Sequence, residues 1–232
     1  MRTLYLIPSL LSDRNSLYSI PPDVVEIIND LEQFIVEDIR TARRFLSKIG
    51  FKKSLDTLKL KVLNEHTSQD EISTLLEFVM LQNTGILSEA GAPAVADPGS
   101  EIVKLAHINN IKVVPLVGPS SILLALMASR LNGQSFAFSG YLPIKKNERI
   151  DKLRSIEKRS KIENQTQIFI ETPYRNNQIL DDILQTCRSM TKLTIAANIT
   201  GKDEYISTKT IKEWKKSIPE IKKIPTVFLI QA

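Results

Sequence analysis

Three carboxylates stand where a sequence tends to place chemistry. Glu37 and Asp38 close the apolar run QFIVED, and Glu89 follows TGILS, so all three lie at the ends of expected strands. An acid in that position can take a proton from a weak nucleophile. Asp38 equally fits the N-cap of the helix that begins IRTARRF. Directly after Glu89 comes AGAPAVADPG, Ala90 to Gly99, with two glycines, two prolines, four alanines, one acid, and no Lys, Arg or Ser. Residues this small let a ligand approach the backbone, whose N–H and C=O groups then recognise it. A phosphate loop would carry the Lys of GxxxxGK[ST], and the spacing of Gly91 and Gly99 does not match a dinucleotide fingerprint. A second small-residue corner, VGPSS from Val117 to Ser121, follows the next strand. Two such corners on neighbouring strand ends would make a shallow, neutral pocket suited to a flat ring without phosphate. The plainer alternative is a tight connection that caps a helix through Asp97-Pro98-Gly99.

The elements that must position these residues alternate from the start. TLYLIP and QFIVED read as buried strands, with PPDVVEIINDLE between them as a helix opened by its prolines. IRTARRFLSKIG is a helix closed by Gly50, and TLKLKVL alternates like a half-exposed strand. SQDEISTLLEFVMLQN opens on a capping box, Ser68 with Glu71. TGILS, the helix SEIVKLAHINN and the strand IKVVPLVG complete a pattern that argues for a parallel sheet covered on both faces. Beyond it, GPSSILLALMASRLNG reads as a helix running to Gly133, SFAFSGYL as a strand, and residues 146–160 as a charged helix. TQIFIET, a helix through Cys187, LTIAANIT, EYISTKT, a second capping box at Thr210 and Glu213, and TVFLIQ follow. EYISTKT comes so soon after LTIAANIT that a hairpin, and hence a mixed sheet, is expected. The expectation is an α/β fold of two domains, 1–117 with a mainly parallel sheet and 118–232 with a mixed one.

Composition narrows the class. The 232 residues are 42% hydrophobic and 25% charged, with no apolar run near the ~20 residues of a membrane span. The N-terminal MRTLYLIPSLLSDR reads as a first strand and not a signal peptide. One cysteine, Cys187, excludes a disulfide framework, and with His66 and His107 as the histidines no metal site is expected. The reading is a cytoplasmic protein without a metal or a membrane partner. Net charge is +5, which permits an anionic partner without requiring one. The cations cluster: Arg40, Arg43, Arg44, Lys48, Lys52 and Lys53 in one segment, Lys145, Lys146, Arg149, Lys152, Arg154, Lys158, Arg159 and Lys161 in another. Both segments also fit solvated helix faces, the second diluted by Glu148, Asp151 and Glu157. His66 is a candidate base or substrate contact, though a lone His at a strand end serves structure as readily. Cys187 reads as inert packing.

SEAGAPAVADPG followed by IKVVPLVGPSS resembles the cofactor-binding core of the tetrapyrrole methylase family. Within it the chain is most similar to the bacterial small-subunit ribosomal RNA ribose 2′-O-methyltransferase branch. VEDIRTARRFLSKIG, NEHT, FSGYLPIKK and IFIETPYRNNQILDDIL carry that similarity in order, nearly end to end. The resemblance implies two α/β domains, usually in a homodimer, with S-adenosylmethionine in the cleft between them. It assigns the cofactor to Pro8, Ala90, Gly91, Ala92, Val95, Ser120 and Ser121, and to Leu142, Ile199 and Thr226 of the second domain. A sulfonium donor brings no phosphate, in keeping with the missing Lys. The sequence departs from the branch in PSLLSD after the first strand, Glu89 and Ala92 in the loop, Tyr174, and Ala197-Asn198 where an Arg-Glu pair is usual.

Methyl transfer from a sulfonium is an in-line displacement that needs donor and nucleophile held close. A ribose hydroxyl would use a base from Glu37, Asp38 or Glu89, with Arg40, His66, Lys145 and Lys146 toward the substrate. Aromatic residues make up only 6%, so no stacking platform is evident and recognition would need a structured partner such as the small ribosomal subunit. Two alternatives remain: a methylase of a small tetrapyrrole-like or other anionic metabolite, and a cofactor-binding module without catalysis.

Overall fold

The structure is a computed structural model and describes residues 2–12 and 19–232; Asp13, at the end of PSLLSD, lies outside them. The chain divides into two compact units, 1–120 and 121–232.

The first unit runs β1 (Thr3–Ile7), α1 (Pro22–Asp30), β2 (Gln33–Val36), α2 (Ile39–Lys48), β3 (Lys59–Val62), α3 (Gln69–Leu81), β4 (Thr84–Leu87), α4 (Gly99–Ile108) and β5 (Lys112–Pro115). The five strands lie in the order β3-β2-β4-β1-β5, every neighbouring pair parallel. Side chains alternate across a strand, so each central strand feeds two cores. Phe34, Val36 and Leu87 pack with Val24 and Ile28 of α1 and with Phe45 and Leu46 of α2. Ile35 and Ile86 turn to the other face and pack with Ile72 and Leu75 of α3 and Ile102 and Ala106 of α4. β2 and β4 are therefore apolar throughout apart from buried Gln33 and Thr84, while the edge strand β3 is largely exposed, as its alternation suggests.

This arrangement decides where a site can form. β1 and β4 are neighbours, yet the helices that follow them, α1 and α4, cover opposite faces. Their outgoing loops must part, leaving a crevice beyond the carboxyl ends of the strands, the place where open α/β sheets bind ligands.

The second unit runs α5 (Ser121–Ala128), β6 (Phe136–Tyr141), α6 (Lys146–Glu163), β7 (Thr166–Ile170), a 3-10 turn (Pro173–Arg175), α7 (Asn176–Thr186), β8 (Lys192–Ala197), β9 (Tyr205–Thr210), α8 (Ile211–Trp214) and β10 (Thr226–Gln231). Its sheet, β6-β7-β10-β8-β9, is mixed: β6 and β7 are parallel, the remaining pairs antiparallel, and β8–β9 is the expected hairpin. Phe169 and Phe228 stack at 5.7 Å in its core, beside Trp214, whose indole N–H donates to the Leu193 carbonyl at 2.8 Å. Both capping boxes are formed, at Ser68–Glu71 and Thr210–Glu213.

Three sequence expectations change. α5 stops at Ala128, not Gly133: the Ser129 hydroxyl donates to the Leu126 carbonyl at 2.7 Å and Arg130 turns left-handed at φ 58. Arg149 does not lie on a solvated face. It is fully buried between α6 and α7, 2.6 Å from Asp182, and also donates to the carbonyls of Pro143 and Ile144. Glu157 is buried too, accepting from the Arg188 N–H at 2.7 Å and from the Thr191 hydroxyl. Cys187 caps α7 in an extended conformation just beyond its last turn; burial, reinforced by the Glu157 charge, pushes its thiol up to about 12, which keeps it unreactive.

Removing one member of a buried ion pair strands the other in a dry environment. Asp182→Ala is expected to cost about 3–5 kcal/mol in urea unfolding. Glu148→Ala, which breaks only the exposed 3.2 Å pair with Lys145, should cost about 1 kcal/mol or less.

Candidate active site

The loop after β4 is pinned to the loop after β1. Ser9 and Gly91 exchange both backbone hydrogen bonds, Ser9 N to Gly91 O at 2.8 Å and Gly91 N to Ser9 O at 3.1 Å. Two buried hydroxyls reinforce the join: Ser9 donates to the Ser88 carbonyl at 2.7 Å and Ser88 to the Gly91 carbonyl at 3.1 Å. Gly91 sits at φ +75, and a Cβ there would lie 3.2 Å from Leu11 Cδ2. The VGPSS corner after β5 presses on the same place from the other side of β1. A Cβ on Gly118 would fall 2.5 Å from Pro8 Cβ.

Beyond Gly91 the loop coils on itself. Ala94 and Ala96 are left-handed, at φ 65 and 58, which costs an alanine about 1–2 kcal/mol each. Asp97 holds them in place: its Oδ1 accepts from Ala94 N at 2.8 Å and from Gly99 N at 2.7 Å, splinting the coil to the first turn of α4. The helix begins at Gly99, one residue later than Asp97-Pro98-Gly99 suggests, but Asp97 does the capping. Its Oδ2 is buried without a hydrogen-bond partner among the described residues, and burial raises its pKa against those two backbone bonds.

The acids separate by environment. Glu37, leaving β2 and half-buried, accepts from the Glu89 N–H through Oε1 at 3.1 Å. Burial first, then the charges of Asp97 and Glu89, pushes its carboxyl up to about 7 despite that bond. Asp38 has the opposite fate. It caps α2, accepting from Thr41 N at 2.7 Å and the Thr41 hydroxyl at 2.8 Å, which lowers its pKa. Glu89 is exposed, with its backbone tied to Glu37.

No family model matches the chain. Curated relatives do. The ribosomal RNA small subunit methyltransferase I of Vibrio cholerae is 30% identical over 204 residues, covering 88% of this chain and 67% of its own length. That of Haemophilus influenzae is 30% identical, covering 93% and 75%, and that of Escherichia coli O157:H7 is 29% identical, covering 98% and 77%. The chain belongs to the ribosomal RNA small subunit methyltransferase I family. It is a methyltransferase by that membership. Its fold is that of the methyltransferase CobJ, with a TM-score of 0.65 at 15% identity over 99% of this chain and 92% of that one. The cobalt precorrin-4 methyltransferase CbiF gives 0.63 at 14%, over 99% and 94%.

In this family member the first unit brings Pro8, Glu37, Glu89, Ala90 and Gly91 together at the strand ends, with Ala92 half-buried and Val95 exposed in the coil. Ser120 ends the first unit and Ser121 begins α5 in the second. Leu142, Ile199 and Thr226 are buried in the second unit, Thr226 donating to the Ile224 carbonyl at 2.8 Å. Arg40 is exposed in the first turn of α2. His66 is exposed in a turn after β3, its N–H on Asn64 Oδ1 at 2.9 Å and its ring 3.6 Å from Glu65. Lys145 and Lys146 are exposed where α6 begins. Sequence reasoning missed Ser9, Ser88 and the reach of Asp97. The signal for Asp97 is an Asx residue ahead of Pro-Gly, which in the sequence implies a cap and nothing more. Among the described residues no group of three or more His, Cys, Asp or Glu is placed for a metal, and no helix is long and apolar enough to cross a membrane.

Because the Glu37 carboxyl lies near 7 when folded and near 4.5 otherwise, the native state holds an extra proton between those values. Its stabilising contribution is complete below the lower one and lost as pH rises through the upper. Glu37→Gln, which keeps the acceptor for Glu89 N–H, should match the parent in thermal melts at pH 4.5 and melt higher than the parent at pH 8. A gap that does not grow with pH would remove the claim.

Proposed function

We propose that this protein methylates a ribose 2′-hydroxyl of small-subunit ribosomal RNA, using S-adenosylmethionine, with Glu37 as general base. The observation that carries the reading is the half-buried Glu37 carboxyl, raised to about 7 beside the Gly91 loop. The names of the relatives support the RNA substrate.

The residues present fit the cofactor. At Gly91 the backbone is open where a Cβ would meet Leu11, the flanking Ala90 and Ala92 are small, and the stretch from Ala90 to Gly99 itself carries no Lys or Arg. Pro8, Ala90, Gly91, Ala92, Val95 and Ser120 of the first unit, with Ser121, Leu142, Ile199 and Thr226 of the second, are assigned to hold it. When bound, S-adenosylmethionine supplies a methyl group activated by its sulfonium.

The chain's own part is to hold the hydroxyl in line and remove its proton. Glu37 Oε1 holds the Glu89 N–H, which leaves Oε2 to take the proton of the ribose hydroxyl. Asp38, committed to its cap, fixes the start of α2 beside that acid. Arg40, His66, Lys145 and Lys146 are exposed and are assigned to the RNA. A homodimer belongs to the proposal, since a second copy doubles the basic surface offered to one large substrate.

A carboxylate base works only when ionised, so kcat/KM for methyl transfer to small ribosomal subunits should climb through pH 7 and level above it. Glu37→Gln should lower the plateau about 10²–10⁴-fold while leaving calorimetric binding of S-adenosylmethionine intact. Gly91→Trp should do the reverse, abolishing cofactor binding in a protein whose circular dichroism is parental. Full activity in Glu37→Gln would sink the base assignment. Saturable cofactor binding in folded Gly91→Trp would sink the cradle.

A further inference from the structure

The sequence of α2, IRTARRFLSK, puts Thr41, Arg44, Phe45 and Lys48 on one helical face, at spacings of three, four and seven residues. That face lines a cavity of about 230 Å³. Its other walls are the loop from Ser9 to Ser12 and the chain at Glu89 and Ala90. The cavity therefore borders both the pinned Ser9–Gly91 join and the residue whose N–H holds Glu37. Phe45, Leu10 and Leu11 give it an apolar side, and the two cations an electropositive one.

Charge and size say what fits. Arg40 and Arg44 stand four residues apart on the helix, and like charges at that spacing repel one another. An anion among them relieves that repulsion. Arg44 is exposed and forms no ion pair among the described residues, so its five N–H donors are open to a phosphate. The volume lies below the ~300–1,000 Å³ typical of a pocket that encloses a whole small ligand. It suits one sugar-phosphate unit of a longer chain better than an entire tetrapyrrole.

We propose that this cavity is the acceptor subsite, in which Arg44 and Lys48 hold the backbone phosphate of the RNA nucleotide to be methylated and so present its ribose to Glu37. The subsite rests on the RNA reading above and adds to it the place and the two residues that position the acceptor. No bond is made or broken by either cation; their part is orientation.

The test uses the full chain as Arg44→Ala, Arg44→Lys, Lys48→Ala and the double alanine variant. Three quantities are read: KM for methyl transfer to unmethylated small ribosomal subunits, the salt dependence of binding a labelled RNA of the same sequence, and calorimetric affinity for S-adenosylmethionine. Arg44→Ala should raise KM about tenfold, the double variant more, with KM moving further than kcat. The slope of log affinity against log salt should fall by about one for each cation removed. Arg44→Lys should recover part of the loss, because a point charge replaces a planar fork. Unchanged cofactor affinity shows that the variants are folded. An active parent whose variants keep parental KM and salt slope overturns the subsite and leaves the RNA reading standing. A parent that binds the cofactor but methylates no RNA overturns both.

Discussion

The paired hydrogen bonds between Ser9 and Gly91 are the constraint on which the first unit's site depends. Loops leaving β1 and β4 are bound for helices on opposite faces of the sheet, and the strands' own pairing ends at Ile7 and Leu87. Two backbone bonds, with the Ser9 and Ser88 hydroxyls folded beneath them, close that gap without any bulky side chain. The join explains why Gly91 is a glycine: it must be left-handed and must leave room for Leu11. It also sets the register of everything after it, because the coil from Ala92 to Asp97 starts from a fixed point.

That coil is strained in a definite way. Two left-handed alanines would relax if they were free to, and the Asp97 carboxylate opposes this by bonding backward to Ala94 and forward to Gly99 at once. The same carboxylate is half-buried, and its negative charge reaches Glu37. One residue thus shapes the loop and raises the proton affinity of the acid beside it. Glu89 acts in the same double manner, giving its N–H to Glu37 while its own charge pushes the Glu37 carboxyl up. Burial is still the larger cause, so the acid's behaviour follows first from where β2 ends and only then from its neighbours.

Much of this was legible in the residues. Strand–helix alternation gave the parallel sheet because β2 and β4 are apolar on both faces, and the short step from LTIAANIT to EYISTKT gave the hairpin. Gly50 and both capping boxes were readable as local chemistry, which needs no tertiary knowledge. Arg149 and Glu157 were not. A charged helix reads as solvated until the partner that buries it is known, and Asp182 lies 33 residues away, on another helix. The early end of α5 was hidden for a related reason, since Ser129 closes the helix through its own hydroxyl and not through a glycine. Of the acids, sequence offered three candidates, with a cap as the rival role of Asp38 alone. What separates Glu37 from Asp38 is a difference in burial and hydrogen bonding between adjacent residues, which no spacing rule contains.

The raised acid and the basic face of α2 make sense together. A carboxyl near 7 is only partly ionised at neutral pH, and any further negative charge brought close would push it higher and silence it as a base. An RNA acceptor brings such a charge on every nucleotide. A site that used burial and two neighbouring carboxylates to tune Glu37 would then defeat itself on meeting its substrate, unless the incoming charge were neutralised where it lands. Arg44 and Lys48 line the same cavity as Glu89, where that neutralisation is needed. With Glu37 as the proposed base and RNA as the proposed acceptor, the cations would do more than attract the substrate: they would preserve the tuning of that acid while the substrate is bound. Salt screens surface charges beyond a Debye length of ~8 Å at physiological ionic strength, so the balance relies on cations at the cavity itself and not on the protein's overall charge of +5.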